Sequence, residues 1–308
     1  VNKPFISFYG GDVAVGGDFA NVASCDSPSS GVGITASLNS SNLGAGVEFA
    51  AMATGSIQGF RTAKATPTAP INKLGFANTS SHFGNFGSAT CIKDYFASFT
   101  SISPSNMTDI TSDTSIDIDT KSSGSYGYNV SSGHTLSLKG TLDLSQRVAL
   151  YINGDLVIDN EISADSSWTT IEQIPSLHVY VKGNIYIQPN VKEMTGLFVA
   201  QPSSPTDTDG GKIITCSNGK SAVANNAIYN TCNNKLLVKG SLVAKKIDFL
   251  RAKGSLRDAN IKGEQDASTS AAAEVIELTP EILMVAPDDI TNANASRYQY
   301  FTVLPPVL

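Results

Sequence analysis

Acidic side chains are the first residues whose type and spacing could do chemistry. Asp207 and Asp209 stand two apart before glycines in TDTDG, as in a short calcium loop, but no bidentate glutamate follows at EF-hand spacing. Asp117 and Asp119 alternate with isoleucine, so in a strand they would share one face and could hold calcium or form a carboxylate pair. A solvated turn for the first pair and edge-strand charges for the second are the simpler interpretations, and we prefer both.

Histidines and nucleophiles form no recognisable active-site pattern. His82, His134 and His178 are scattered, whereas a carbohydrate-cleaving β-helix needs clustered acids near a histidine or arginine. GxSxG, P-loop, GxGxxG with a following acid, and HExxH are all missing from the sequence. We therefore expect a protein that is not an enzyme, with no catalytic, cofactor-binding or metal-binding residues.

The densest basic segment runs from position 245 to position 257. Asp248 and Asp258 interrupt it, Phe249 is its one aromatic ring, and the formal net charge of the chain is −6. We expect a solvated face or a subunit contact, and no nucleic-acid partner. The basic residues are Lys245, Lys246, Arg251, Lys253 and Arg257.

Four cysteines predict two disulfides. Cys216 and Cys232 bracket a polar loop, and Cys25 and Cys91 lie in the polar N-terminal half. Local pairing joins Cys25 to Cys91 and Cys216 to Cys232, one of three connectivities, in an oxidising compartment. None of them stands in a CxxC or CxxCH pattern, which argues against zinc, redox and c-type haem sites.

A repeated strand–glycine–strand motif would form the framework that positions these residues. Four segments align without a gap, each with a central glycine, then Thr, Asp, Asn or Ser, then an aliphatic residue. Alternate positions are mostly apolar and would share one face of an extended chain, and the glycine predicts a bend. The segments are LSLKGTLDL around Gly140, LYINGDLVI around Gly154, VYVKGNIYI around Gly183 and LLVKGSLVA around Gly240, with SFYGGDVAV around Gly11 as a looser copy.

The spacing of these glycines predicts the fold. The gaps lie close to multiples of about 14 residues, as in a parallel β-helix or β-solenoid whose stacked strands bury a shared aliphatic column. Charged residues are only 16% of the chain, which favours strands and polar turns. We predict an all-β parallel β-helix with one short helix near the N-terminus. A β-sandwich or jelly roll with glycine bulges gives similar local patterns and is the alternative.

Three regions follow from composition. Residues 1–135 form a Ser/Thr/Gly-rich region with a short helix predicted over 46–58, residues 136–262 form the repeat core, and residues 263–308 contain a polar linker and extended segments. No apolar run approaches the length that spans a membrane. The chain starts at Val1 without an initiator methionine, so we expect either that a signal or anchoring segment has been removed or that the sequence is a fragment.

Several blocks of the sequence resemble exported cell-surface proteins of candidate-phyla-radiation bacteria (Patescibacteria, including Saccharibacteria). They include YGGDVAVGGDF, GVEFAAMATGSIQGF, KLGFANT, LLVKGSLVAKKIDFLRAKGSLRDAN, AAAEVIELTPEI and the closing LPPVL. The resemblance implies an exported protein attached to the cell surface, and it carries no reaction, cofactor or site residue. The rhythm of the repeats is also similar to that of bactofilins.

These observations favour a non-enzymatic extracellular structural protein, a subunit of a surface filament or surface layer that assembles by β-strand or edge contacts into a homo-oligomer or polymer. An adhesin or carbohydrate-binding module, with a host-cell or glycan surface as its partner, is the second hypothesis, and a polysaccharide-active β-helix enzyme is the third. The segment RYQYFTVLPPVL is expected to pair with a neighbouring subunit, or else to fold back and cap its own core. Its candidate pairing residues are Tyr298, Tyr300, Phe301 and Val303.

Overall fold

The computed structural model describes residues 6–10, 13–15, 19, 21, 45–47, 51–53, 60–62, 76–78, 92, 94–96, 106–252 and 272–279. Almost all of its regular structure is β-strand, and every register pair is parallel except in one two-stranded hairpin. Long parallel pairing of this kind differs from the antiparallel sheets of a β-sandwich or jelly roll. Among these residues no helix is long and apolar enough to cross a membrane.

Strands β1 to β6 and the one α-helix found in the described residues are short. The strands are β1 (Ile6–Tyr9), β2 (Val13–Val15), β3 (Ala45–Val47), β4 (Ala51–Ala53), β5 (Phe60–Thr62) and β6 (Phe76–Asn78), and the helix is α1 (Ile228–Thr231).

The remaining strands lie between residues 108 and 277. They are β7 (Thr108–Ile110), β8 (Thr114–Asp117), β9 (Gly124–Val130), β10 (Leu136–Leu142), β11 (Arg147–Asn153), β12 (Leu156–Ala164), β13 (Ser176–Lys182), β14 (Ile185–Ile187), β15 (Glu193–Gln201), β16 (Lys212–Ile214), β17 (Ser217–Asn218), β18 (Ser221–Ala222), β19 (Leu236–Ala244), β20 (Lys246–Asp248) and β21 (Glu274–Glu277).

Successive strands alternate between two parallel ladders of one 16-stranded sheet. The first ladder runs β8, β10, β12, β14, β16, β20, and the second runs β7, β9, β11, β13, β15, β19, β21, β1, β3, β5. Strands β2, β4 and β6 form a separate parallel sheet. Within each ladder a strand therefore pairs with the strand before it and the strand after it, so the strands form a stack.

Aliphatic columns run through the stack where the registers align. Leu136, Leu156, Ile185 and Ile213 follow one another in the first ladder and are fully buried. Leu150, Val179 and Phe198 do the same in the second ladder, and the two columns belong to one core. The aliphatic residues two places after the motif glycines lie in the core: Leu142, Leu156 and Ile185 are fully buried, and Leu242 packs against the same core. Burying each such side chain contributes about 2 kcal/mol.

The N-terminal strands extend the far end of this stack. Strand β1 pairs with β21 on one side and with β3 on the other, and β5 follows β3. The helix predicted over 46–58 is wrong for the residues described there, because Ala45–Val47 and Ala51–Ala53 are strands. Gly46 and Gly55 within this range lower helix stability by about 1 kcal/mol each, and strand pairing on both sides of β3 and β4 outweighs the weak helical pattern.

Candidate functional site

Stacked glycine corners join the two ladders. Gly154 lies between β11 and β12, and Gly183 lies between β13 and β14, each with positive φ (128° and 153°). A Cβ atom on Gly183 would stand 2.6 Å from the carbonyl oxygen of Gly154, so the corners touch backbone to backbone. Gly211, with φ of 82°, continues the stack, because its N–H donates to the Gly183 carbonyl at 3.0 Å. Glycine is required here because two corners could not approach so closely with side chains between them.

The small polar residue after each corner glycine binds the next corner. The Asn184 N–H donates to Asp155 Oδ1 at 2.9 Å, and the Lys212 N–H donates to Asn184 Oδ1 at 2.9 Å. A short acceptor side chain thus satisfies a backbone donor that the bend removes from the ladder. This relay explains the Asp after Gly154 and the Asn after Gly183.

The other described motif glycines lie within strands, so the bend between two strands predicted for them is wrong. Gly140 is in β10 (φ 118°), where the register shifts next to it, and Gly240 is in β19 (φ 148°). Gly196 in β15 (φ 133°) pairs with Gly240 and was missed by sequence reasoning, as was Gly211. Gly211 falls midway between Gly183 and Gly240. The gap between those two glycines is about twice the gap from Gly154 to Gly183, which was the sequence signal for a further corner glycine between them.

One end of the stack presents open strand edges. Among the described residues, β7 pairs only with β9, and β8 pairs only with β10. Ile110 and Ile116 point into the core, whereas Thr114 and Ser115 are exposed. The Thr114 N–H donates to Thr135 on the β10 side at 2.9 Å. Since backbone N–H groups alternate sides along a strand, the N–H of Ser115 points to the open side, where another strand could pair.

Aspartates at this end bind the stack and leave the edge open. Asp117 ends β8 and accepts from the Asp119 N–H, while Asp119 lies in the 3₁₀ turn Ile118–Thr120. The two therefore do not share a strand face, which corrects that part of the prediction. Asp119 Oδ1 accepts a short hydrogen bond from the Thr141 N–H, and Asp113 Oδ1 accepts one from Thr135 N–H at 2.8 Å. Asp113 and Asp119 thus serve the same relay as the corner residues.

An aromatic patch on the outer face of β11, β13 and β15 is covered by N-terminal residues. Tyr151 and Tyr180 stand 4.8 Å apart between ring centroids, and Tyr95 stacks on Tyr180 at 5.2 Å. The buried Gln201 side chain accepts from the Tyr95 N–H and donates to Asp94. The patch is therefore an internal joint that fastens residues 94–96 to the side of the stack. His178 is buried beside it, with Nδ1 3.1 Å from the Tyr180 hydroxyl.

Arg251 and Glu274 form a buried polar cluster that sequence reasoning missed. The Arg251 guanidinium donates to the carbonyls of Thr215, Pro189 and Gln188 at 2.6 to 2.8 Å, so it is not part of a solvated basic face. Glu274 Oε1 accepts from the Arg251 N–H and the Thr215 hydroxyl, and Glu274 Oε2 has no hydrogen-bond partner in the described part of the chain. Burial raises the pKa of Glu274 to about 7, and burial lowers the pKa of Arg251 to about 10.

A disulfide closes the loop above this cluster. Cys216 and Cys232 are bonded and fully buried, which confirms that prediction. The loop contains the β17–β18 hairpin and α1, and Tyr229 in α1 is 68% exposed. Lys220 Nζ in this loop donates to the His134 carbonyl, so the loop also contacts the turn after β9.

The TDTDG segment is a turn closed by its own aspartate. Asp207 accepts from the N–H and hydroxyl of Ser203 and from the N–H groups of Asp209 and Gly210, at 2.7 to 3.0 Å. Partial burial acts to raise the pKa of Asp207, but these hydrogen bonds outweigh it and lower the pKa to about 2. Both carboxylate oxygens are already engaged within the turn. In the part of the chain that the structure describes, no group of three or more His, Cys, Asp or Glu residues could hold a metal ion.

Several predicted residues lie outside the described ranges. They are Gly11, Cys25, Cys91 and the assembly-segment residues Tyr298, Tyr300, Phe301 and Val303, together with Lys253 and Arg257 of the basic segment. Comparisons with protein-family models, with curated proteins and with solved structures found no match.

Proposed function

We propose that this chain is a non-enzymatic structural protein of the cell exterior, which winds as a β-solenoid and joins other copies through its sheet edges into a filament or surface layer. The observation that carries the proposal is the open end of the stack, where β7 and β8 are each paired on one side only among the described residues. An edge strand with free backbone groups is a template for a further strand.

The chemistry of this edge favours pairing. Ile110 and Ile116 already belong to the core, so an added strand would extend an existing aliphatic column. Asp113 and Asp119 are engaged with backbone N–H groups inside the stack, so their charges are partly satisfied there. The carboxylates on the edge strands themselves also have partners in the stack, because Asp109 accepts from the Asn129 side-chain amide at 3.0 Å and Asp117 lies 3.9 Å from Lys139 Nζ.

Other features support a role outside the cell. The buried Cys216–Cys232 bond is compatible with an exported protein, since disulfides persist in oxidising compartments. The resemblance to exported surface proteins of candidate-phyla-radiation bacteria agrees with this location. The aromatic rings Tyr151 and Tyr180 are packed under residues 94–96, so they serve the fold and do not form a sugar-stacking platform.

Proline at position 115 tests the edge. Ser115→Pro removes the outward N–H and places a ring on the open side, while the Thr114 bond to the stack is kept. We expect the concentration needed for assembly to rise about tenfold or more, because a main-chain hydrogen bond and close strand approach are both lost. Electron microscopy and sedimentation measure this concentration.

Ser132→Pro is the matched control. Ser132 is exposed in the turn after β9, where the His134 N–H donates to the Ser131 carbonyl and Gly133 has φ of 86°. Proline is favoured at this turn position, so the control should assemble like the unaltered protein. Unaltered protein that stays a monodisperse monomer at every concentration would contradict the proposal.

A further inference from the structure

The junction between β1 and β21 joins the two ends of the described chain. Ile6 to Tyr9 pair in parallel register with Glu274 to Glu277, and the Leu278 N–H donates to the Tyr9 carbonyl at 2.9 Å. Every other neighbouring pair in this ladder comes from segments far closer in sequence. The junction is therefore a non-covalent contact between an N-terminal arm and the rest of the stack.

Each side of the junction needs the other to cover its apolar residues. Tyr9 and Val275 pack together on the outer side, while Ile6 and Ile276 belong to the main core. These four side chains are between 0% and 9% exposed. If the arm left, β21 would present an uncovered edge whose matching strand is β1 of any copy of this chain.

The junction is a short contact in the ladder. It has four register pairs, as β19 and β21 do, whereas β15 and β19 share eight. Glu274 opens β21 with a buried carboxyl whose Oε2 has no hydrogen-bond partner among the described residues, so part of the packing at this strand is offset by desolvation.

We propose that in the assembled protein β1 of one chain pairs with β21 of the next, so that subunits are linked by exchange of the N-terminal arm. This inference rests on the proposed assembly and adds a second interface to the one at the β7 and β8 edges. All contacts of the junction are kept, because the partner strand is identical and only the connectivity changes. Each chain then donates one strand and accepts another, which is a heterologous contact that extends into a filament or closes into a ring.

Cysteines introduced at positions 10 and 278 show whether the paired β1 and β21 belong to one chain or to two chains. A Cβ on Gly10 would lie 3.6 Å from the Leu278 Cβ, which is disulfide distance. After oxidation of assembled Gly10→Cys/Leu278→Cys protein, a non-reducing denaturing gel should show a ladder of covalent oligomers. A mixture of the two single variants, assembled together, should give cross-linked dimers that contain one chain of each.

The outcomes separate this inference from the proposed function. Oxidised chains that run only as monomers, from assemblies visible by electron microscopy, would overturn arm exchange and leave assembly standing. Protein that forms no assemblies would overturn the proposed function, and with it the exchange. Gly10→Ser and Leu278→Ser control for folding. If the substitution at position 10 prevents folding, Ser7→Cys with Val275→Cys reports the same strand pairing. Folded protein that forms neither kind of cross-link would contradict the junction itself.

Discussion

Replacing Gly183 with alanine measures how much stability is lost when a repeat corner carries a side chain. The new Cβ would stand 2.6 Å from the Gly154 carbonyl oxygen, 2.8 Å from its carbon and 2.9 Å from Asp155 Oδ1. The Gly154 corner cannot retreat freely, because its N–H is bonded to the Lys182 carbonyl at 3.0 Å. A φ of 153° costs roughly 1–3 kcal/mol for a residue with a Cβ, and overpacking costs a similar amount, so we expect a loss of about 4 kcal/mol.

Gly133→Ala is the matched control for this loss. Gly133 has a positive φ of 86°, but a Cβ there meets nothing within 4 Å, so it carries the backbone cost without the collision. We expect Gly133→Ala to cost about 1–2 kcal/mol. Urea unfolding of both variants gives the difference in unfolding free energy. Equal losses for the two variants would refute the claim that stacked corners are in backbone contact.

Three further predictions concern buried groups. The pKa of Glu274 is about 7 in the folded chain and its ordinary value is 4.5, so the folded chain binds an extra proton between these two pH values. The unfolding free energy should therefore fall by on the order of 3 kcal/mol from pH 4.5 to 7. A Glu274→Gln variant whose unfolding free energy has the same slope against pH would disprove this. Arg251→Lys should lower the unfolding free energy by about 3 kcal/mol, because one ammonium cannot reach three carbonyls, and a loss below about 0.5 kcal/mol would contradict that role. Replacing Cys216 and Cys232 together by serine should cost about 3 kcal/mol in thermal or urea unfolding, and an unchanged stability would show that the loop is held by other contacts.

Local patterns were enough to predict the bends at Gly154 and Gly183, but not that Gly140 and Gly240 lie within single strands. Alternating apolar residues around Gly154 and Gly183 indicated two short strands per motif, and the structure has strands on both sides of each glycine. The closeness of Cys216 and Cys232 in sequence likewise indicated their bond. These features depend on neighbours within a few residues, which a single sequence displays.

Features that depend on which segments stack could not be predicted in the same way. Arg251 and Glu274 meet because β21 lies beside β19, and a basic segment alone gives no sign that one of its arginines is buried. The helical pattern over 46–58 ignored the partners that β3 and β4 find in neighbouring strands. The place of β1 beyond β21 is likewise a long-range contact with no local signal.

High-resolution electron cryomicroscopy of the assembled protein shows how the subunits meet. We expect filaments or a lattice in which strands continue across subunit boundaries, with the ~4.8 Å spacing of paired strands running along the axis of the stack. Subunits should meet through their sheet edges, with the β7 and β8 edges paired with a neighbouring chain. Assemblies held together by lateral faces alone, with the β7 and β8 edges exposed to solvent, would contradict it.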